Sequence, residues 1–291
     1  MTQDRPAQRL REILDQPGIL VLPGVYDCLS ARLAARAGFP ALFTSGFGFA
    51  ASLLGMPDMG LLAAPEVIAH LRNICRAVSV PVVADLDTGY GGTLNVYRTV
   101  QEAVAAGAAG IILEDQTWPK RCGHFSGKSV VPLEEHVAKL RVAVEARGDS
   151  GLVVIARTDS RAVYGLDEAV RRGRAYFEAG ADVVFIEAPE AREELEEIPR
   201  ALPDVPLFVN MIEHGRTPLL PAAELERMGF KIVVYPLSGL FAAAAAMDRV
   251  YRHLLEHGTT EGGPELCEFS EFAEVMEAGD WDRIDRRFSE A

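Results

Sequence analysis

The chain has 291 residues, 49% of them hydrophobic, enough to bury a sizeable core without help from a partner. Its 29 basic and 42 acidic residues leave a formal charge of −13, a field that repels nucleic acid and anionic membranes. Four cysteines, Cys28, Cys75, Cys122 and Cys267, form no CxxC pair, which argues against a zinc cage or a disulfide framework and for a reducing compartment, the cytoplasm.

The opening "MTQDRPAQRLREILDQPG" has the pattern of an amphipathic polar helix and lacks the basic-plus-apolar arrangement of a secretion signal. No run of about 18 apolar residues follows that would span a bilayer. The chain then repeats one phrase: a helical pattern closes on Gly and leads at once into a short apolar run, as in "ARAGFPALFTSG", "AAGAAGIILEDQ", "EAGADVVFIEAP" and "RMGFKIVVYPLS". Each is a helix C-cap feeding a buried strand.

With "GILVLPGVYD", "VPVVADLD", "GLVVIART" and "PLFVN", strands are expected near 18–24, 41–45, 81–87, 110–115, 152–158, 183–188, 206–210 and 231–236. Segments with apolar residues three and four apart separate them, among them "APEVIAHLRNICRAVS", "LNVYRTVQEAVAAG" and "PLEEHVAKLRVAVEARG". Eight β-then-α units in one uninterrupted chain predict a (β/α)₈ barrel, for which about 250 residues is typical, with a doubly wound open sheet as the alternative. No linker divides the chain, so residues 1–291 are expected to form one domain. After the eighth helix, "GLFAAAAAMDRVYRHLLEHG", residues 258–291 add a helical extension that the barrel does not require.

In such barrels the chemistry lies where strands end. Here the strand ends read "TSGFG", "DLDTGYGG", "EDQ", "RTDSR", "EAPE" and "NMIEHG". Buried strands finish in carboxylates only when those are paired or bind something. Asp85 and Asp87, at i and i+2 on the expected third strand, point to the same side, and two carboxylates so close attract a cation. Oxygen ligands without His or Cys favour Mg²⁺ or Mn²⁺ over zinc. The competing reading is that one Asp caps the following helix or pairs with Arg157. Glu114 and Glu187, from neighbouring strand ends, shift the balance to a metal, because four acids without a cation repel one another.

The loop after strand four, "LEDQTWPKRCGHFSGK", surrounds Cys122 with Lys120, Arg121 and His124. A cationic neighbourhood lowers a thiol's pKa and fits it to proton transfer near neutral pH. Cys28, Cys75 and Cys267 lack such surroundings and read as inert thiols.

These residues make the sequence resemble the isocitrate lyase/phosphoenolpyruvate mutase superfamily over nearly its whole length. "KRCGH" is that superfamily's lyase signature, and "TSG…LGMPD", "DLDTGYG", "LEDQ" and "NMIEHGRTP" stand in the family's order. The resemblance is to the branch of 2-methylisocitrate and 2,3-dimethylmalate lyases and the related oxaloacetate hydrolases. It implies a barrel whose eighth helix is exchanged between subunits of a homodimer or homotetramer. It also implies that Asp87 is the direct Mg²⁺ ligand, with Asp85, Asp58 and Glu114 holding metal waters. Ser45 and Gly46 would bind the 2-oxo-acid part of a small carboxylate substrate, with Phe47, Gly123 and His124 in the same pocket. Arg157 would pair with a carboxylate, Glu187 and Asn210 would orient the remaining polar groups, and Cys122 would donate the proton, assisted by Lys120 and His124.

The implied reaction is a retro-aldol-type cleavage of a 2-hydroxy di- or tricarboxylate. Methylisocitrate lyases carry Tyr in the position of Phe43 and Arg in that of Phe241, so a tricarboxylate loses a partner here and a smaller diacid is expected. The hydrolases carry Ser in the position of Pro236, which ranks hydrolysis lower. Phosphonate mutases share the fold and metal, but those with phosphonopyruvate activity lack the loop cysteine, and a non-catalytic scaffold would not keep acids at four strand ends.

Overall fold

In the computed structural model, which describes residues 6–123 and 127–289, eight parallel strands close into a barrel in sequence order. Helix α1 (Pro6–Asp15) precedes β1 (Leu20–Val25), α2 (Cys28–Arg36), β2 (Leu42–Thr44), α3 (Gly46–Phe49) with a π-helical turn (Ala50–Leu54), and α4 (Ala64–Ala77). Next come β3 (Val82–Asp85), α5 (Thr93–Ala106), β4 (Gly110–Glu114), α6 (Leu133–Arg147), β5 (Val153–Thr158), α7 (Arg161–Tyr164) and α8 (Leu166–Glu178). The barrel ends with β6 (Val183–Ile186), α9 (Arg192–Ala201), β7 (Leu207–Asn210), α10 (Ala222–Met228), β8 (Ile232–Tyr235) and α11 (Ser238–His257); α12 (Phe269–Val275) and α13 (Ala278–Ser289) follow. The expected strands are all present, and pairing of Leu20 with Ile232 and Leu22 with Val234 closes the ring. The four glycines expected to end helices, Gly38, Gly107, Gly180 and Gly229, all have positive φ, the left-handed conformation that lets the chain leave a helix and enter a strand at once.

Each strand is buried on both faces, which is why the strands read as continuous apolar runs. Leu22, Phe43, Val83, Ile112, Ile155, Phe185, Phe208 and Val234 fill the interior, and the alternate residues pack outward against the helices. The lower end is plugged by α1, whose Leu10 is fully buried in that interior cluster. Arg11 fixes the plug by donating to the carbonyls of Gly151 (2.6 Å) and Leu152 (3.1 Å) and to Asp182 (3.1 Å).

Behind the upper end lies a second set of buried polar groups. Asp115 accepts from Thr158 Oγ1 (2.7 Å), the Asp159 amide (2.9 Å), Arg172 (3.0 Å) and the Tyr176 hydroxyl (2.8 Å), so α8 is bound to the ends of β4 and β5. His136, fully buried, lies edge-on to the Tyr176 ring at 4.7 Å.

The extension does not leave the barrel. Helix α12 lies on α2, where Arg32 donates to the Val275 carbonyl (3.2 Å) and pairs with Glu277 (2.9 Å). By contrast α11 has no buried residue along its twenty, and Phe241, Met247, Tyr251, Leu254 and Leu255 are exposed. No described helix is long and apolar enough to cross a membrane.

Burial first, then the charges of Lys139 and Arg172, pushes the His136 imidazole down to about 3. The folded chain therefore keeps it neutral while the unfolded chain, with an ordinary pKa of about 6.5, takes up a proton; stability is full above about 6.5 and is lost as pH falls towards about 3. This group's share of the loss at pH 4 is about 3 kcal/mol at 1.4 kcal/mol per pH unit. Denaturant titrations of wild type and His136→Gln from pH 7 to 4 are expected to give a shallower decline for the variant, by that amount.

Candidate active site

The two-residue repeat of the strands builds the site. Two residues beyond the interior positions Phe43, Val83, Ile112, Ile155, Phe185 and Phe208, on the same inward face, stand Ser45, Asp85, Glu114, Arg157, Glu187 and Asn210. One step of the same geometry thus turns an apolar layer into a polar one. All six line a single cavity at the C-terminal end of the barrel, together with Asp58, Lys120, Cys122 and Gly123.

Asp87 does not stand on the strand as expected. Strand β3 ends at Asp85, and Asp87 occupies the following turn with φ of 49°, a left-handed conformation uncommon outside glycine. The two carboxylates still meet: a Cβ built on Gly46 would lie 3.1 Å from Asp87 Oδ1 and 3.3 Å from Asp85 Oδ2. What joins them is the backbone, because Asp85 accepts from the amides of Asp87 and Gly46, each at 3.1 Å. Lys120, 3% exposed, places its ammonium between Asp58 Oδ1 (2.5 Å) and Asp87 Oδ1 (2.7 Å).

This alters the reading of the loop. Lys120 serves the acids, its pKa held well above the ordinary lysine value by Asp87 and Asp58 against the cost of burial. Arg121 lies beside Gly127 and its backbone is clamped by Gln116, whose amide donates to Arg121 O (2.8 Å) and accepts from Arg121 N (3.1 Å). His124 falls outside the described residues. Cys122 is half-buried and its amide donates to the Asp58 carbonyl (3.2 Å).

The second cation is Arg157. Its partners are Asp159 in a two-pronged bond (2.9 and 3.1 Å), Glu114 (3.3 Å) and Glu187 (3.6 Å); neither Asp85 nor Asp87 is among the pairs it forms. Its guanidinium also stands 5.3 Å over the Phe185 ring. Gly123 is pressed onto this pair, since a Cβ there would lie 1.9 Å from Glu187 Oε1 and 2.5 Å from an Arg157 nitrogen. Asp159 and Gln116 also shape the site, although neither is among the candidates read from the sequence. Asp159 stands in the quoted "RTDSR" beside its partner Arg157, and its second partner Lys128 is 31 residues away, while Gln116 in "LEDQ" acts on the Arg121 backbone, which spacing does not reveal. Lys128 is buried on Asp159 at 2.8 Å.

Six carboxyl groups, Asp58, Asp85, Asp87, Glu114, Asp159 and Glu187, meet three cations, Lys120, Lys128 and Arg157, among the described residues. The excess is felt: burial, offset only in part by Lys120, raises Asp87 to about 7, and burial drives Glu114 well above the carboxylate range. Glu114 Oε1 is buried without a hydrogen-bond partner among the described residues. As placed, no three acids among the described residues converge on one point, because the Lys120 ammonium stands between two of them. The donor set, all carboxylate with unmet negative charge, fits a hard divalent cation.

A family model described as phosphoenolpyruvate phosphomutase matches residues 10–255. The chain is 45% identical to the 2,3-dimethylmalate lyase of Eubacterium barkeri over 271 residues, 93% of each protein. It is 40% identical to the 2-methylisocitrate lyase of Bacillus subtilis (strain 168) over 98% of this chain and 94% of that one. Among solved structures, oxaloacetate acetylhydrolase in complex with 3,3-difluorooxalacetate superposes with a TM-score of 0.93 at 36% identity, covering 97% and 96% of the two chains. A phosphonopyruvate hydrolase solved with oxalate and Mg²⁺ gives 0.88 at 32% identity, covering 97% and 99%.

The contact of Gly123 with Glu187 and Arg157 gives a direct test of the site's geometry. Glu187 is 1% exposed and cannot swing away, so Gly123→Ala must displace the Cys122 backbone instead. A misplacement of that size costs about a hundredfold in turnover. The expected outcome is that loss in kcat/KM with a melting temperature close to wild type, read by steady-state kinetics and thermal denaturation.

Proposed function

The chain belongs to the phosphoenolpyruvate mutase/isocitrate lyase superfamily, and from that premise we propose that it is a carbon–carbon lyase cleaving a small 2-hydroxy dicarboxylate of the 2,3-dimethylmalate type. The observation that carries the reading is that the half-buried Cys122 lines the same cavity as the acids and as Arg157. A proton donor, an acid cluster for a cation and a carboxylate-binding cation are the parts this cleavage needs.

Asp87, with Asp85, Asp58 and Glu114 around it, would hold Mg²⁺ or Mn²⁺. The bound ion supplies positive charge against the oxygens where negative charge develops in the transition state. Arg157 pairs with a substrate carboxylate, and the planar guanidinium is kept in orientation by Asp159. Asn210, whose buried Oδ1 has no hydrogen-bond partner among the described residues, and Glu187 orient the hydroxyl and the remaining oxygens. Ser45 lines the same end, whereas the Gly46 amide already donates to Asp85 and acts by holding that acid. A base takes the 2-hydroxyl proton, the oxygen forms the new C=O as the C2–C3 pair passes to C3, and the resulting enolate-like carboxylate is protonated at carbon by Cys122, leaving a 2-oxo acid and a carboxylate. Neighbouring Lys120 offsets part of the negative charge of Asp58 and Asp87.

The size of the substrate follows from the apolar wall. Phe43 packs on Phe208, and Phe47 meets Phe241 edge-on at 6.4 Å, beside Ile212, Pro236 and Leu237. Among the cations on the surrounding loops, Lys128 is engaged on Asp159 and Arg161 on Glu190 and Glu194, whereas Arg121 lines the cavity. A third carboxylate against this wall would lose hydration at a cost of several kcal/mol. Oxaloacetate hydrolysis is the second reading, favoured by the superposition on oxaloacetate acetylhydrolase and weakened by Pro236, which offers no hydroxyl.

The amphipathic helix α11, with exposed apolar residues and no buried one, supports its exchange between subunits of a homo-oligomer, a dimer or tetramer. Four free cysteines support a cytoplasmic location. On this reading the wild-type chain elutes as a dimer or tetramer in light-scattering chromatography, and replacing Phe241 and Met247 by Glu yields smaller species; a wild-type monomer at micromolar concentration would end the proposal.

Activity is tested on 2,3-dimethylmalate, 2-methylisocitrate and oxaloacetate with Mg²⁺, detecting pyruvate or oxalate. The expected result is at least about a hundredfold preference in kcat/KM for the dicarboxylate over the tricarboxylate, by 1.4 kcal/mol per decade. Turnover should vanish on exhaustive chelation and fall sharply in Cys122→Ser, whose hydroxyl transfers protons poorly at neutral pH. Oxalate as the main product, or a Cys122→Ser variant cleaving at the wild-type rate, would overturn the lyase reading.

A further inference from the structure

We propose that Lys128 is a positioning residue that fixes the Cys122–Gly123 backbone against Arg157 and Glu187; only its effect on turnover rests on the reading of Cys122 as proton donor. The Lys128 side chain is 2% exposed, and its ammonium donates both to the Gly123 carbonyl and to Asp159 Oδ1, the latter at 2.8 Å. Asp159 is fully buried and also grips Arg157 through Nε (2.9 Å) and Nη2 (3.1 Å). One carboxylate thereby ties the loop to the guanidinium that lies under it.

Two independent features argue that the contact positions the backbone and does not merely neutralise Asp159. First, Asp159 already has a two-pronged partner in Arg157, the strongest carboxylate pairing available to it. Lys128 adds charge to that acid, but the orientation of the carboxylate is already set by Arg157. Second, Gly123 has no spare room: a Cβ would fall 1.9 Å from Glu187 Oε1. A backbone seated so closely on a charged pair needs something to hold it there, and its carbonyl is the group Lys128 takes. On the other side of Cys122, the Cys122 amide is held by the Asp58 carbonyl at 3.2 Å and Arg121 is clamped by Gln116. The thiol is thus pinned between two fixed points, of which Lys128 supplies the one nearer Arg157. A lysine on an exposed loop ordinarily leaves its ammonium in water, and surrendering that hydration is rewarded only by both partners together.

The test compares Lys128→Met and Lys128→Gln with wild type. Cys122 alkylation by iodoacetamide is followed by peptide mass mapping, which separates it from the other three cysteines. Steady-state kinetics with Mg²⁺ and 2,3-dimethylmalate run in parallel, and far-UV circular dichroism reports folding. In the Met variant Cys122 alkylation is expected to change at least about threefold and kcat to fall at least about tenfold, with KM within about threefold of wild type, since Arg157 keeps Asp159. Lys128→Gln, which can still donate to the Gly123 carbonyl but brings no charge to Asp159, should fall between Met and wild type in both readouts. A wild-type alkylation rate in whichever of the two variants folds overturns the proposal, as does a Gln variant altered as much as Met, which would assign Lys128 to neutralising Asp159. Failure of the lyase reading is distinguishable: Cys122→Ser would then cleave normally while the alkylation comparison still decides the role of Lys128.

Discussion

An ionised carboxylate out of water has to be compensated, and the upper end of this barrel gathers more carboxylates than its own cations can serve. Lys120 is shared by Asp58 and Asp87, and Arg157 by Asp159, Glu114 and Glu187. Sharing leaves a remainder, which appears as the raised pKa of Asp87 and Glu114. Elsewhere the same chain gives individual acids more donors. Asp182 accepts from Arg11, Arg147 and the Val154 amide, and Asp115 from four donors. The deficit is therefore a property of the site and not of an acidic composition.

The barrel tolerates this because stability and chemistry occupy opposite ends. Leu10 and the aliphatic interior close the bottom, and the layer of Phe43, Ile112, Phe185 and Phe208 separates that core from the polar floor above. Aromatic rings at this level do two jobs, since Phe185 also carries the Arg157 guanidinium on its face. An error in the charged layer thus costs turnover before it costs the fold, which is the separation expected of barrels whose activity lies at the C-terminal face.

Most of this architecture could be read from the sequence because it follows from periodicity. Glycine-closed helices leading into apolar runs marked the strands, and the polar residue at each strand end marked the site. What the pattern missed is informative. The period of two placed Asp87 on the strand, but the chain leaves β3 at Asp85 and turns through a left-handed residue. Lys120 was assigned to Cys122 by nearness in sequence, whereas its ammonium follows charge to acids contributed by two other loops. Asp159 and Gln116 lay inside quoted motifs yet acquired their roles only from partners in three dimensions. "GFGF" had no periodicity to announce α3. Spacing locates residues on elements; it does not say which of several nearby opposite charges a long side chain will choose.

The same charge arithmetic links the proposed cation to the proposed substrate. A chain of formal charge −13 with an acid-rich cavity repels a dicarboxylate, and Lys120, Lys128, Arg157 and the lining Arg121 are outnumbered by the carboxyl groups of the site. A divalent cation held by the acids would change the local balance by two charges, which strengthens the binding of a dianion at the same place. Because binding free energies are reciprocal, the dianion must strengthen the binding of the cation by the same factor. An acidic site for an acidic substrate is therefore no contradiction. The excess of carboxylates makes the pocket unreceptive to the diacid alone, and discrimination against other anions then depends on whether they can share the ion while fitting beside Phe43, Phe47 and Phe241.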